Sequence, residues 1–327
     1  MRILVTGSSG HLGEALARTL EPLGHEVVGV DLKPGRFTAK VGSIVDRRFV
    51  ADAMLGAEAV CHAATLHKPH VATHAPRAFV DTNIAGTLNL LEEAAAAKLK
   101  AFIFTSTTSV FGDALIPPPA APAAWITEEV RPVPKNIYGV SKAAAEDLCQ
   151  LYHRKHGLPI LILRTSRFFP EADDDAAVRA AYVDDNHKAN EYLSRRVDLE
   201  DVVSAHLLAL DRAPELGFRR YIISAATPFH REDAEELRRD LPGVLRRRVP
   251  QYESAYRSRG WRMVPAIDRV YDSERARREL GWQPRYDFAR LLALLESGDD
   301  MRSPLARLVG AKGYHDEVFA EGPYPVA

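Results

Sequence analysis

Apolar runs alternate with amphipathic stretches over residues 1–110. A glycine-rich turn at residues 7–13 joins the first run to the first helical pattern, and an acidic residue closes the second run. Together these predict an α/β fold, a Rossmann-type doubly wound parallel sheet with a smaller C-terminal α/β substrate domain. Strands are expected at 2–6, 26–31, 59–63 and 101–110, with helices between them. Residues 75–98 put Phe79, Ile84, Leu88, Leu91 and Ala95 at helical spacing, with Pro76 near the start. Residues 113–137 hold Pro117, Pro118, Pro119, Pro122, Pro132 and Pro134, which exclude long regular structure and leave a surface loop or a lid. A helix follows at 140–156 and an apolar strand at 158–164. An irregular polar region runs from Glu171 to about Arg196, then a helix at 198–213 and a strand at 219–225. Beyond 226 the alternation weakens to helical patterns at 232–240, 272–280 and 288–296, and a tail with Pro304, Gly322, Pro323 and Pro325.

The chain has 327 residues and 46% hydrophobic content, enough for a large core in one domain or two closely joined ones. A net charge of −1 argues against nucleic acid or an anionic membrane as the main partner. Cys61 and Cys149 lie in apolar surroundings and read as thiols of a reducing compartment. The first residues enter a strand at once, leaving no room for a signal peptide, and no apolar run reaches the ~20 residues of a membrane span. The expectation is a cytoplasmic protein. Arg246-Arg247-Arg248 reads as a solvated face. His62, His67, His70 and His74 lack the carboxylates or thiols that complete a metal site, so no metal is expected.

The chemistry begins at Gly7-x-x-Gly10-x-x-Gly13. A strand, a glycine turn and a helix make a phosphate cradle: Gly7 for the tight turn, Gly10 for close approach of a pyrophosphate, and Gly13 for close packing of helix on strand. The helix N-terminus, with His11 and Leu12, faces the anion. Asp31 lies 18 residues after Gly13, where a carboxylate accepts from both hydroxyls of an adenosine ribose and repels a 2′-phosphate, favouring NAD over NADP. Tyr138 and Lys142 are four apart and share a helix face. A phenol titrates near ~10, and a neighbouring ammonium lowers that value toward a working base. Thr107 stands in a Ser/Thr run at a strand end, where a hydroxyl can hydrogen-bond a substrate oxygen and share a proton with Tyr138.

In this order the motifs resemble the extended short-chain dehydrogenase/reductase family, in particular its NAD-dependent epimerase/dehydratase group. The resemblance covers the glycine turn, Asp31, Cys61-His62-Ala63-Ala64, Asn83-Ile84-x-Gly86-Thr87, the run ending Val110-Phe111-Gly112, Tyr138…Lys142 and Leu163-Arg164. It continues through Arg196-Val197-Asp198-Leu199-Glu200-Asp201-Val202, Ala205-His206 and Leu280-Gly281-Trp282-x-Pro284. It implies Thr107, Tyr138 and Lys142 as the catalytic set, with Lys142 also on the nicotinamide ribose. It implies cofactor contacts at Ser43, Ile44, Ala63, Ala64 and Asn83, Ser43 standing where the family has Asp. His67 falls near a position that some members fill with a cofactor-contacting lysine. The group's dehydratases carry Asp-Glu after the catalytic Thr; here Thr108 and Ser109 argue against dehydration. Where epimerases show a phosphate-contacting Asn, Arg167 stands and can hold an anion, and Thr108 and Arg196 are further substrate candidates. Residues 170–196 are shorter than the family's nucleotide-binding insertion.

The domain reading is therefore 1–170 as the NAD-binding domain, with 197–226 returning to it, and 171–196 and 227–327 as the substrate-binding portion. The activity expected is NAD-dependent hydride transfer at a secondary alcohol or ketone of a carbohydrate-like substrate, sugar or sugar-nucleotide, in an epimerase-like manner. The alternative is a net NAD(P)-dependent dehydrogenase or reductase of a smaller anionic substrate. A non-catalytic NAD-sensing protein is a third reading, against which the intact Thr107/Tyr138/Lys142 set argues. The resemblance also implies a homodimer through the helices at 76–98 and 140–156.

Overall fold

The computed structural model describes residues 1–315, 317, 319 and 322–324, so Pro325 of the tail lies outside the described residues. The strands, in chain order, are β1 Arg2–Thr6, β2 Glu26–Asp31, β3 Lys40–Val41, β4 Ala59–His62, β5 Ala101–Thr107, β6 Ala124–Ile126, β7 Ile160–Thr165, β8 Phe218–Ile223 and β9 Arg269–Tyr271. The helices are α1 His11–Leu20, α2 Arg47–Met54, α3 Pro76–Phe79, α4 Gly86–Ala96, α5 Ile137–His156, α6 Ala176–Ala181, α7 Asp184–Glu191, α8 Leu199–Leu216, α9 Leu241–Arg248, α10 Tyr252–Arg257, α11 Glu274–Leu280, α12 Phe288–Ser297 and α13 Pro304–Val309.

Seven strands form one parallel sheet in the order β3-β2-β1-β4-β5-β7-β8. The chain builds outward from β1 through β2 and β3, then returns to build β4, β5, β7 and β8 on the other side. The reversal falls between β1 and β4, and the crevice beyond their C-terminal ends is where ligands of such sheets bind. Side chains alternate faces along each strand. Ile3 and Val5 of β1 join Leu12, Leu16 and Leu20 of α1, Val202 and Ala209 of α8 and Trp282 in one core, while Leu4 joins Val50, Met54, Leu90, Leu91, Ala145 and Cys149 of α2, α4 and α5 in another. Both faces are covered, which is why the strands read as nearly continuous apolar runs. A third core is built mainly by later segments, around Leu237, Leu241, Val244, Tyr256, Phe288 and Leu292.

Several boundaries differ from the sequence reading for local reasons. α5 begins at Ile137 because the Asn136 side chain caps it, accepting from the Gly139 N–H at 3.0 Å. Tyr138 therefore sits in the first turn and Lys142 one turn on. The stretch read as one helix at 75–98 contains a π-helical turn, Val80–Ala85, between α3 and α4. β5 ends at Thr107, where a 3-10 stretch, Thr108–Leu115, takes over. The proline-rich loop contains β6, which pairs in parallel with the distant β9. The polar region 171–196 contains α6 and α7. The pattern at 232–240 resolves into the 3-10 turns Arg231–Asp233 and Glu236–Arg238.

The C-terminal signature and the segment after Arg196 form one joint. The Trp282 indole donates to the Asp201 carbonyl and to Ser204 Oγ, each at 3.0 Å, while the Asp201 carboxylate accepts the Arg285 and Tyr286 N–H groups at 2.8 and 2.9 Å. Cys61 and Cys149 are free and buried. Among the described residues no helix is long and apolar enough to cross a membrane. Arg246, Arg247 and Arg248 are paired on the surface with Glu253, Glu236 and Asp233.

Candidate active site

A cavity of about 470 Å³ opens at the sheet's reversal point, reaching from Asp31 at the end of β2 to Tyr138 at the start of α5. Gly7, Gly10 and Gly13 line its floor with His11 and Leu12. Gly7 has φ +75°, and a Cβ there would lie 2.8 Å from the Ala64 nitrogen. A Cβ on Gly13 would lie 2.5 Å from the Gly7 carbonyl carbon and 2.8 Å from Ser8 Cα, closer than atoms can pack. Gly10 differs: a Cβ there would approach only the Gly7 oxygen, at 3.3 Å. The chain thus needs Gly7 and Gly13 for its own packing. At Gly10 it leaves space in front of the α1 N-terminus, as a pyrophosphate requires. The Asp31 carboxylate accepts the Ser9 and Lys33 N–H groups, both at 3.0 Å, which fixes it beside the turn. Ser43, Ile44, Ala63, Ala64 and Thr65 line the same wall. The Ala63 and Ala64 N–H groups donate to Thr6 Oγ1 at 3.2 and 3.1 Å. These features fit a dinucleotide laid across the crevice.

At the other end the Thr107 hydroxyl hydrogen-bonds the Tyr138 phenol and also accepts from the Ser109 N–H at 3.1 Å. Burial pushes the Tyr138 phenol up to about 12, outweighing the Thr107 hydrogen bond. Lys142 does not line the cavity. Its ammonium lies 3.9 Å from the centre of the Phe104 ring and donates to the Thr105 carbonyl at 2.7 Å, and burial pushes it down to about 7. The expectation that Lys142 lowers the tyrosine pKa is therefore corrected for the chain alone: burial dominates both groups. Beneath the pair, Glu146 accepts from Ser106 Oγ at 2.6 Å and from Arg164 at 2.7 Å, all three buried.

Asn83, expected at the cofactor, lies behind the cavity wall. It does not line the cavity, because its amide is used within the protein. Oδ1 accepts from Thr65 Oγ1 and the Leu66 N–H, and Nδ2 donates to the Leu66 carbonyl and Ser141 Oγ. Asn83 braces the turn after β4 against α5. His62 is likewise internal, held between Thr6 and Thr87 at 2.8 and 2.9 Å, with burial keeping it neutral.

Of the substrate candidates, Thr108 lines the cavity. Arg167 reaches it too, but its guanidinium already holds Asp173 Oδ2 at 2.6 Å and Glu191 Oε1 at 3.2 Å. Arg195 meets both carboxylates, and Arg196 donates to Glu191 at 2.8 Å, away from the main cavity. Burial alone would raise Asp173 and Glu191, but the surrounding His187 and arginines hold both well below the usual carboxylate range. Asp173, His187 and Glu191 converge as metal ligands might, yet the same oxygens carry Arg167 and Arg195, which makes the group an ion-pair cluster. Arg167 thus lines the cavity with its charge paired to Asp173 and Glu191, and Arg196 is paired with Glu191 outside it.

The sequence reading did not flag Phe169, Arg269, Tyr271, Lys312, Tyr314 or Tyr324, all of which line the cavity. Residues 312–314 lie across the cradle. Glu171 accepts from His11 Nε2 at 2.8 Å, the Lys312 N–H at 3.0 Å and the Gly313 N–H at 3.1 Å, and Lys312 Nζ pairs with Glu14. The Tyr314 ring packs edge-on against His67 at 4.8 Å and Phe169 at 5.5 Å. One signal was available. Arg269 and Tyr271 are two apart around Val270, shortly before the Leu280-Gly281-Trp282 signature, so on a strand they share one face.

Residues 3–223 match the model of the family described as NAD dependent epimerase/dehydratase. The chain is 27% identical over 325 residues to a UDP-glucose 4-epimerase from Streptomyces lividans, covering 88% of this chain and 93% of that one. It is 34% identical over 166 residues to the uncharacterized protein y4nG of Sinorhizobium fredii, covering 49% of this chain and 39% of that protein. Among solved structures, a short-chain dehydrogenase/reductase superfamily protein from Agrobacterium tumefaciens with bound NAD superposes with a TM-score of 0.66 at 25% identity, over 91% of this chain and 96% of that one.

Proposed function

This chain belongs to the NAD dependent epimerase/dehydratase family and its cofactor is NAD. From that premise we propose that it moves a hydride at a secondary alcohol or ketone of a carbohydrate-like substrate, in the manner of an epimerase. The observation that carries the reading is a single cavity with Asp31 at one end and the Thr107–Tyr138 pair at the other. When bound, NAD supplies the hydride acceptor and a positively charged ring. Asp31 takes the adenosine ribose hydroxyls and disfavours a 2′-phosphate. Thr107 orients the reacting oxygen. Tyr138, kept protonated by burial, donates its proton to a ketone oxygen. In the reverse direction it accepts the hydroxyl proton, a role that positive charge on Lys142 and on the cofactor favours. Lys142, one turn along α5 from Tyr138, ties that helix to the Thr105 carbonyl of β5 beside the pair. We assign residues 1–170 with 197–226 to cofactor binding and 171–196 with 227–327 to substrate. We also place a homodimer at the helices of 76–98 and 140–156, where Val80 and Val140 are exposed, to be checked by sedimentation.

The test offers NAD-loaded protein UDP-sugars and free sugars while following the reduced-nicotinamide absorbance. The expected result is an epimerised sugar without accumulating NADH, and at least about a hundredfold loss in Tyr138→Phe. Full activity in that variant would overturn the mechanism. One observation favours a second reading, net oxidation or reduction of a smaller substrate: the Arg167 charge is already paired with Asp173 and Glu191, which weakens its hold on a nucleotide diphosphate. Steady NADH production would establish it.

A further inference from the structure

Four basic side chains of the cavity have carboxylate partners: Lys68 with Asp174, Arg167 and Arg195 with Asp173, and Lys312 with Glu14. Arg269, half-buried with its guanidinium 6.0 Å from the centre of the Tyr271 ring, has no carboxylate partner among the described residues; its Nε, like that of Arg167, is buried without a hydrogen-bond partner. This is notable because Arg269 sits between two acids in Asp268-Arg269-Val270-Tyr271-Asp272. Both acids are engaged elsewhere: Asp268 pairs with Arg238, and Asp272 accepts from the Trp125 indole at 2.9 Å and lies 3.6 Å from Arg231. The pairing of Ala124 with Arg269 in β6 and β9 fixes the strand, and residues two apart on it share a face. Tyr271, on the Arg269 face, packs 6.5 Å from the Phe111 ring, in the 3-10 stretch that starts directly after Thr107. Arg269 therefore enters the cavity from the C-terminal segment on the side of the reacting pair, carrying a charge that no carboxylate among the described residues pairs with.

A half-buried guanidinium whose Nε is buried without a partner leaves hydrogen-bonding capacity unused, and an arginine offers a planar fork suited to two oxygens. We propose that Arg269 is the specificity-determining residue of the site and binds an oxyanion of the substrate, a carboxylate or a phosphate. The substrate class is then an anionic sugar derivative, held by Arg269 and not by Arg167. This rests on the reading of the cavity as the site of hydride transfer.

The test measures binding, by calorimetry on NAD-saturated protein, of D-glucose, D-glucuronate, D-glucose 6-phosphate and UDP-glucose. Wild-type protein is expected to bind at least one anionic probe about tenfold or more tightly than glucose. Arg269→Gln is expected to abolish that preference, and Arg269→Lys to restore part of it. Glucuronate against glucose 6-phosphate distinguishes carboxylate from phosphate. Absence of any preference for an anion in wild-type protein overturns the proposal, as does a preference that survives in Arg269→Gln with NAD binding intact. If Arg269→Gln does not fold, the wild-type preference and its partial retention in Arg269→Lys decide. Binding needs no turnover, so a fully active Tyr138→Phe would refute the proposed chemistry while leaving the Arg269 result to stand on its own.

Discussion

Replacing Gly10 and Gly13 separately by alanine separates what the cradle needs for folding from what it needs for its ligand. At Gly13 the added methyl carbon would stand 2.5 Å from the Gly7 carbonyl carbon and 2.8 Å from Ser8 Cα, both backbone atoms that cannot rotate away. Relief requires α1 to move off the turn by roughly an ångström, and overpacking of this kind costs about 1–3 kcal/mol. For a large domain that lowers the melting temperature by roughly 2–6 °C. The same movement draws the helix N-terminus off the pyrophosphate. At Gly10 the methyl meets only the Gly7 oxygen, at 3.3 Å, and the backbone angles of −78° and 171° suit alanine. Stability without cofactor should change by no more than about 0.5 kcal/mol. The methyl would occupy the space in front of the helix, so NAD affinity should fall at least about tenfold, or 1.4 kcal/mol. Thermal unfolding with and without NAD, together with NAD titration by calorimetry, reads both quantities. Gly10→Ala binding NAD as tightly as wild type would refute the placement of the pyrophosphate. Gly13→Ala melting with wild type would refute the packing argument.

Glu146→Ala should cost about 3–5 kcal/mol in urea unfolding, because it strands the buried Arg164 charge and frees Ser106 beside Thr107. His206 lies between Thr105 Oγ1 and the Val202 carbonyl, and burial pushes it down to about 4. Because the folded value lies below the unfolded one, its stabilising contribution is present above pH ~6.5 and is lost as pH falls toward 4, about 3 kcal/mol in all. Urea midpoints measured across that window should fall, and His206→Gln should flatten the fall. Glu171→Ala removes the acceptor of the Lys312 and Gly313 N–H groups, so trypsin should cut after Lys312 several times faster; an unchanged cleavage rate would count against the docking of that segment.

What the sequence made legible was local. Gly7, Gly10, Gly13 and Asp31 act through short spacings around one strand–turn–helix unit, and Tyr138 and Lys142 through one helical turn. Their order along the chain supplied the rest. The pairing of Arg167 was not legible because its partners, Asp173 and Glu191, come together only when the polar stretch after β7 folds. The bonding of Asn83 to Leu66 and Ser141 was not legible because it crosses elements that no spacing relates. β6 has three residues among prolines and exists through its pairing with β9, some 145 positions away (Ala124 to Arg269). Arg269 is the hardest kind of residue to read from sequence. Its significance lies in having no carboxylate partner among the described residues, although two acids flank it in the chain.

Glu171 accepts from both His11 and the Lys312 N–H, residues 301 positions apart, so the glycine cradle and the segment above it form opposite walls of one enclosure. That makes order in residues 312–314 and occupancy of the cradle thermodynamically reciprocal: whatever free energy the docked segment adds to holding the cofactor, the cofactor returns in full to docking the segment. Protease sensitivity at Lys312 is then a gauge of how much cofactor is bound. Any partner that draws the segment away acts as an antagonist of NAD without touching a single cofactor-binding residue.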